Sequence, residues 1–178
     1  MHADLSPVIA ATTQWLTRAY PASGGALAHA LCEAQARQAV TVAARLRCPT
    51  PMDVALMDVT GPGGSAGLDW ITGADGTAAG DPDQAWRTWV DEVVASWAAC
   101  LLTDPELAAL AVAALADGDP AEGTPSGTPA EFRRLLAPDA QDRRAATLLR
   151  HPDLAAPVAG LHHAQLVARL DPGRALAA

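Results

Sequence analysis

The chain has 178 residues, half of them hydrophobic, enough to bury one core without disulfide staples. Twenty acidic residues against twelve cations give a net charge of −8. That balance excludes a nucleic-acid partner and an anionic membrane surface, because both need a basic patch.

The first helix is expected from Ser6-Pro7 to Tyr20-Pro21, with Val8, Thr12, Trp15, Leu16 and Ala19 as its apolar stripe. Pro21 to Gly25 reads as a turn. The second and longest helix follows from about Ala26 to Leu46, closed by Cys48-Pro49. Glu33 and Arg37 lie four apart on its wet side, and Arg45 and Arg47 suit the negative end of the dipole. Thr50-Pro51-Met52-Asp53 is a capping box that opens a short helix to about Val59, with a strand as the alternative.

Gly61 to Gly80 is irregular and glycine-rich. Within it Val59-Thr60-Gly61 and Ile71-Thr72-Gly73 look like two copies of one short motif. A coincidence of composition accounts for them, and a small β-hairpin is the alternative. Trp70 is expected to pin this loop onto the core.

The rest of the chain is organised around Asp81 to Leu102. Asp81 is a good N-cap, Pro82 suits the first helical position, and Gln84 suits the third residue of a capping box. Trp86, Trp89, Val90, Val93, Trp97 and Leu101 recur at helical spacing, which predicts one helix with its indoles on one face. Thr103-Asp104-Pro105-Glu106 restarts a helix at once, with Leu107, Leu110, Ala111, Ala114 and Leu115 as its buried side.

Asp117 to Thr128 is a polar, low-complexity linker. Thr128-Pro129-Ala130-Glu131 reads as a capping box before Phe132, Leu135 and Leu136. Pro138-Asp139 begins a helix through His151, and Pro157 begins the last, to about Leu170. The expected fold is therefore all-α: a single-domain bundle of about seven helices with a Gly-rich loop at about 60–80. Residues 1–116 form the main bundle, 117–128 a linker or hinge, and 129–178 C-terminal helices packing on it.

Four groupings bear on chemistry. His162-His163 point about 100° apart on a helix. His163 shares a face with Ala159, Leu166, Val167 and Leu170 and is expected to look inward; it and then His162 are the weak catalytic candidates, as general base or ligand. His29, Cys32 and Glu33 share a helical face and are the weak metal candidate, but no second ligand cluster accompanies them. Gly61 to Gly67 lacks the lysine and the following helix start of a phosphate loop. Trp70, Trp86, Trp89 and Trp97 supply either core bulk or an apolar pocket or interface.

No cofactor is implied, and no pattern assigns an enzymatic activity. The leading expectation is a non-enzymatic protein–protein interaction module with a protein partner or a second copy. The alternative is a small-molecule site between the Trp helix and the last helix. Cys32, Cys48 and Cys100 are odd in number and match no zinc spacing, and no leader or membrane-length apolar run is present; together these predict a cytoplasmic protein. The last four residues, Ala175 to Ala178, resemble the end of the bacterial trans-translation degradation tag, a match so short that an Ala-rich composition accounts for it.

Overall fold

The computed structural model describes residues 4–74, 82–117 and 128–171. Among these residues the chain forms ten α-helices, one 3-10 helix and no strand. The number exceeds seven chiefly because two of the expected helices are broken in two and a further short helix forms within the stretch expected to be an irregular glycine-rich loop.

Helices α1 (Ser6–Ala19) and α2 (Gly25–Arg47) match the sequence reading closely. Ala36, Ala39, Val40 and Ala43 of α2 are fully buried. They face α5 (Glu92–Thr103), where Val94, Ala95, Ala98 and Leu101 are equally inaccessible. Small side chains let these two backbones approach closely, and this pair is the centre of the bundle. Trp15 and Leu16 bring α1 against α2.

Helix α3 (Pro51–Thr60) opens as its sequence demands. Thr50 Oγ1 accepts from Asp53 N, and Asp53 Oδ2 accepts from Thr50 N at 3.0 Å. Only Val54 and Met57 of α3 are buried, and among the described residues α3 runs along no other helix for any length. Helix α4 (Ala66–Thr72) follows.

The two similar tripeptides are not a hairpin. Each is a helix end. Thr60 Oγ1 donates to Leu56 O and Thr72 Oγ1 to Leu68 O, both at 2.9 Å, and Gly61 and Gly73 follow at φ 77° and 72°. Trp70 does not pin the loop: it projects outward at 76 % exposure.

The expected single Trp helix is two elements. A 3-10 helix spans Pro82–Trp89, and α5 starts only after Val90 and Asp91. Asp91 is extended and caps α5, its Oδ1 accepting from Val94 N at 2.9 Å. The break is held by the glycine loop: Gly64 N donates to Val90 O at 3.0 Å, and Gly63 pairs with Asp91. Gly63 and Gly64 sit at φ 90° and 81°, a region in which glycine alone is unstrained. The indoles consequently do not share a face. Trp97 is buried, Trp86 is half-buried and Trp89 is 41 % exposed. The expected N-cap Asp81 lies outside the described residues.

Helix α6 (Pro105–Ala116) restarts where expected, with Asp104 Oδ1 accepting from Glu106 N and Leu107 N. Its buried side is Leu107, Ala108, Ala111 and Val112, whereas Leu110 and Ala114 are exposed. Most of the expected linker, residues 118–127, lies outside the described residues. Thr128–Glu131 forms turns rather than a capping box. Phe132 and Leu135 are nonetheless buried at α7 (Arg133–Leu136).

Asp139 and Asp142 make a full capping box at α8 (Ala140–Ala145). The last expected helix also divides. Pro152, not Pro157, opens α9 (Pro152–Ala159), Pro157 lies inside it, and the turn Gly160–His162 leads into α10 (His163–Leu170). Helix α8 lies against α2, and α9 against α5.

A buried polar network ties these C-terminal helices down. Arg150 Nε donates to Gln35 Oε1 at 2.6 Å, and its guanidinium also reaches Leu102 O and Arg134 O. Gln35 Nε2 donates to Asp142 O at 2.9 Å, and Arg134 pairs with the Asp142 carboxylate. No described helix is long and apolar enough to cross a membrane.

Candidate functional site

Helix α3 carries the most distinctive surface. A ten-residue helix is marginal on its own, so it depends on its caps and on what it packs against. Val54 and Met57 anchor one side. On the opposite side Met52, Leu56 and Val59 recur at i, i+4 and i+7, exposed at 69 %, 55 % and 85 %. The helical period puts Asp53 beside that stripe, its carboxylate accepting from Thr50 N and Oγ1, and Asp58 nearer to buried Val54 than to the stripe.

Beside the stripe lies a cavity of about 230 Å3 lined by Arg47, Cys48, Asp53, Met57, Thr60 and Asp91, with Leu56 at its edge. Burial raises the Asp91 carboxyl above the ordinary aspartate range, despite the backbone N–H of Val94 and the nearby Arg47 and His162. The Cys48 thiol is pushed up to about 11, mainly by burial. It is therefore an unreactive thiol, not a nucleophile.

A second polar cluster joins α1, α4 and the 3-10 helix. Asp69 accepts from Trp15 Nε1 at 2.9 Å, Ser65 Oγ at 2.7 Å and Arg87 at 2.7 Å. Burial opposes its charge, but these three donors and the Arg87 guanidinium together hold its carboxyl below the usual range. Ser65 donates to the Asp69 carboxylate, which is itself taken up by Trp15 and Arg87. This cluster fastens α1, α4 and the 3-10 helix to one another.

The sequence-predicted residues separate. His163 is exposed instead of inward-facing. His162 Nε2 lies 2.9 Å from Glu92 Oε1, and its backbone N–H donates to Ser96 Oγ. Trp97 Nε1 donates to His162 O at 3.1 Å, while Ser96 Oγ and Cys100 Sγ donate to Ala159 O. The Ala159–His162 segment thus occupies the space in which a Trp-lined pocket was expected.

His29 is exposed, Cys32 is buried and Glu33 pairs with Arg37 at 2.8 Å, so the three do not converge. Among the described residues no group of three or more His, Cys, Asp or Glu side chains is placed to hold a metal ion. Trp86 is held between Arg18 and Arg87, each guanidinium 5.0 Å from a ring centroid.

The exposed stripe on α3 escaped the sequence reading, although Met52, Leu56 and Val59 carry the right spacing. Comparison with protein-family models, with curated proteins and with solved structures gives no match to this chain.

Proposed function

We propose that this chain is a helical interaction module that binds a protein partner through the outer face of α3. The observation that supports this most is the placement of Met52, Leu56 and Val59: three large apolar side chains at helical spacing, exposed on a helix that runs along no other among the described residues. Contiguous exposed apolar surface of this kind marks interaction sites. Covering the three side chains contributes on the order of 4 kcal/mol before association costs, which suits a transient contact.

The module belongs in the cytoplasm. Cys32, Cys48 and Cys100 are free and buried, which fits a compartment that keeps thiols reduced.

The test is site-specific photo-crosslinking in the source cells. A photoreactive residue at Val59 should give a discrete protein adduct that Leu56→Asp abolishes, and the same residue at exposed Arg37 should not. Equal adducts from both positions, or none from Val59, would remove the reading.

A further inference from the structure

Where α1 and α4 end against α9, the chain leaves an apolar niche. It shares no lining residue with α3 and does not depend on the docking role proposed there. We infer that this niche is a binding site for a small, uncharged, fused-ring molecule that carries a hydroxyl group.

The walls come from three elements. Ala19 and Tyr20 line the niche from the end of α1, Ile71 and Thr72 from the end of α4, and Leu154 and Pro157 from one turn of α9. Leu148, just before α9, closes the side. Ala155 and Val158 commit the other face of α9 to the core. The lining is thus a set of short pieces with no groove along any one of them. A helix, about 10 Å across with its side chains, has nowhere to lie.

Volume sets the size of the occupant. An apolar cavity of about 150 Å3 takes one benzene ring. The niche measures about 290 Å3, room for two fused rings. Among the described residues no charged side chain lines it. A carboxylate or ammonium group entering it gives up water and meets no counter-charge, so a neutral occupant is favoured.

The hydroxyl follows from Tyr20 and Thr72. Tyr20 is 7 % exposed, and its Oη donates to Leu154 O at 3.4 Å, against about 2.8 Å for an ordinary hydroxyl bond. A ligand oxygen placed closer accepts that hydrogen bond instead. Burial raises the Tyr20 pKa, so its hydroxyl stays a neutral donor. Thr72 Oγ1 gives its own proton to Leu68 O at 2.9 Å, which leaves its oxygen to accept from the ligand O–H.

The probes are β-naphthol, naphthalene and naphthalene β-sulfonate, titrated into the full chain with its methyl groups labelled for NMR. Burying about 200 Å2 of ring surface gives β-naphthol an expected Kd on the order of 100 μM. Its shifts should concentrate at Ile71, Leu148 and Leu154, with Met52, Leu56 and Val59 of α3 as internal controls. Naphthalene should bind several-fold more weakly, and the sulfonate about tenfold more weakly or worse.

Leu154→Asp, at a half-exposed position, should weaken β-naphthol binding by about tenfold or more. Ala19→Leu, which fills the niche, should do the same. Tyr20→Phe should weaken β-naphthol several-fold and leave naphthalene unchanged. Far-ultraviolet circular dichroism checks that each variant is folded.

Absence of saturable shifts at Ile71, Leu148 and Leu154 would overturn the inference. So would equal shifts on α3, which mark unspecific adsorption, or sulfonate binding as tight as that of β-naphthol. Unchanged β-naphthol binding in Tyr20→Phe would overturn the role of the hydroxyl. A discrete protein adduct from a photoreactive residue at Leu154 in the source cells would give the niche to a partner's side chain and overturn the small-molecule assignment. The α3 reading is decided separately, by the Val59 adduct.

Discussion

The indole N–H of Trp15 donates to Asp69 Oδ1 at 2.9 Å, joining α1 to α4 across 54 residues of sequence. Arg87 completes the arrangement from the 3-10 helix, so one carboxylate fastens three elements. Asp69→Asn should cost about 2 kcal/mol at pH 7, because Arg87 loses its counter-charge in a site little exposed to water. Asp69 has a folded pKa below its unfolded value, so the stability it gives is present above the unfolded value and is lost as pH falls. Chemical denaturation of both proteins should therefore show a gap that is full at pH 7 and narrows below about pH 4.

The two threonine–glycine helix ends make a graded prediction. Gly73 is left-handed at φ 72°, ψ 19°, a region that a side chain enters at moderate cost. Gly61 sits at φ 77°, ψ 153°, which is nearly forbidden to any other residue. Neither has an atom within 4 Å of where a Cβ would stand, so the difference is backbone strain alone. Gly73→Ala should cost about 1 kcal/mol and Gly61→Ala about 2–3 kcal/mol, read from denaturant midpoints.

Asp91 gives the opposite sign of pH dependence to Asp69. Burial raises its folded pKa, so the folded state holds the Asp91 proton to higher pH than the unfolded chain does. That contribution is full below the unfolded value and is lost as pH rises through the folded one. Asp91→Asn should keep the cap on Val94 N and match or exceed wild-type stability at pH 7. Its advantage should vanish below about pH 4. A variant less stable than wild type at pH 7 would contradict this assignment.

What was legible in the sequence was local. The Thr50–Asp53 capping box, the Asp104-Pro105 restart and the Asp139 cap are decided within four residues, and each forms where the pattern predicts. The all-α class followed from such signals. The continuous Trp helix did not, because the period of Trp86, Trp89, Val93 and Trp97 carries across a break made by a distant loop. Only the bond from Gly64 N to Val90 O and the cap formed by Asp91 show it.

Pro157 misled for a related reason. Pro152 and Pro157 both suit a first helical turn, and packing against α5, not local preference, places the start at Pro152. On α3 both faces are apolar, so periodicity alone does not say whether Val54 and Met57 or Met52, Leu56 and Val59 face the core. The Asp69 cluster draws on residues scattered along the chain, and no spacing rule connects them.

Native-state hydrogen exchange of the isolated protein tests the central claim most directly, that the outer face of α3 is uncovered until a partner arrives. The amides of Val54 to Thr60 should exchange orders of magnitude faster than those of α2 and α5, because little packing holds α3 closed. Protection of α3 equal to that of α5 in the monomer would contradict the account.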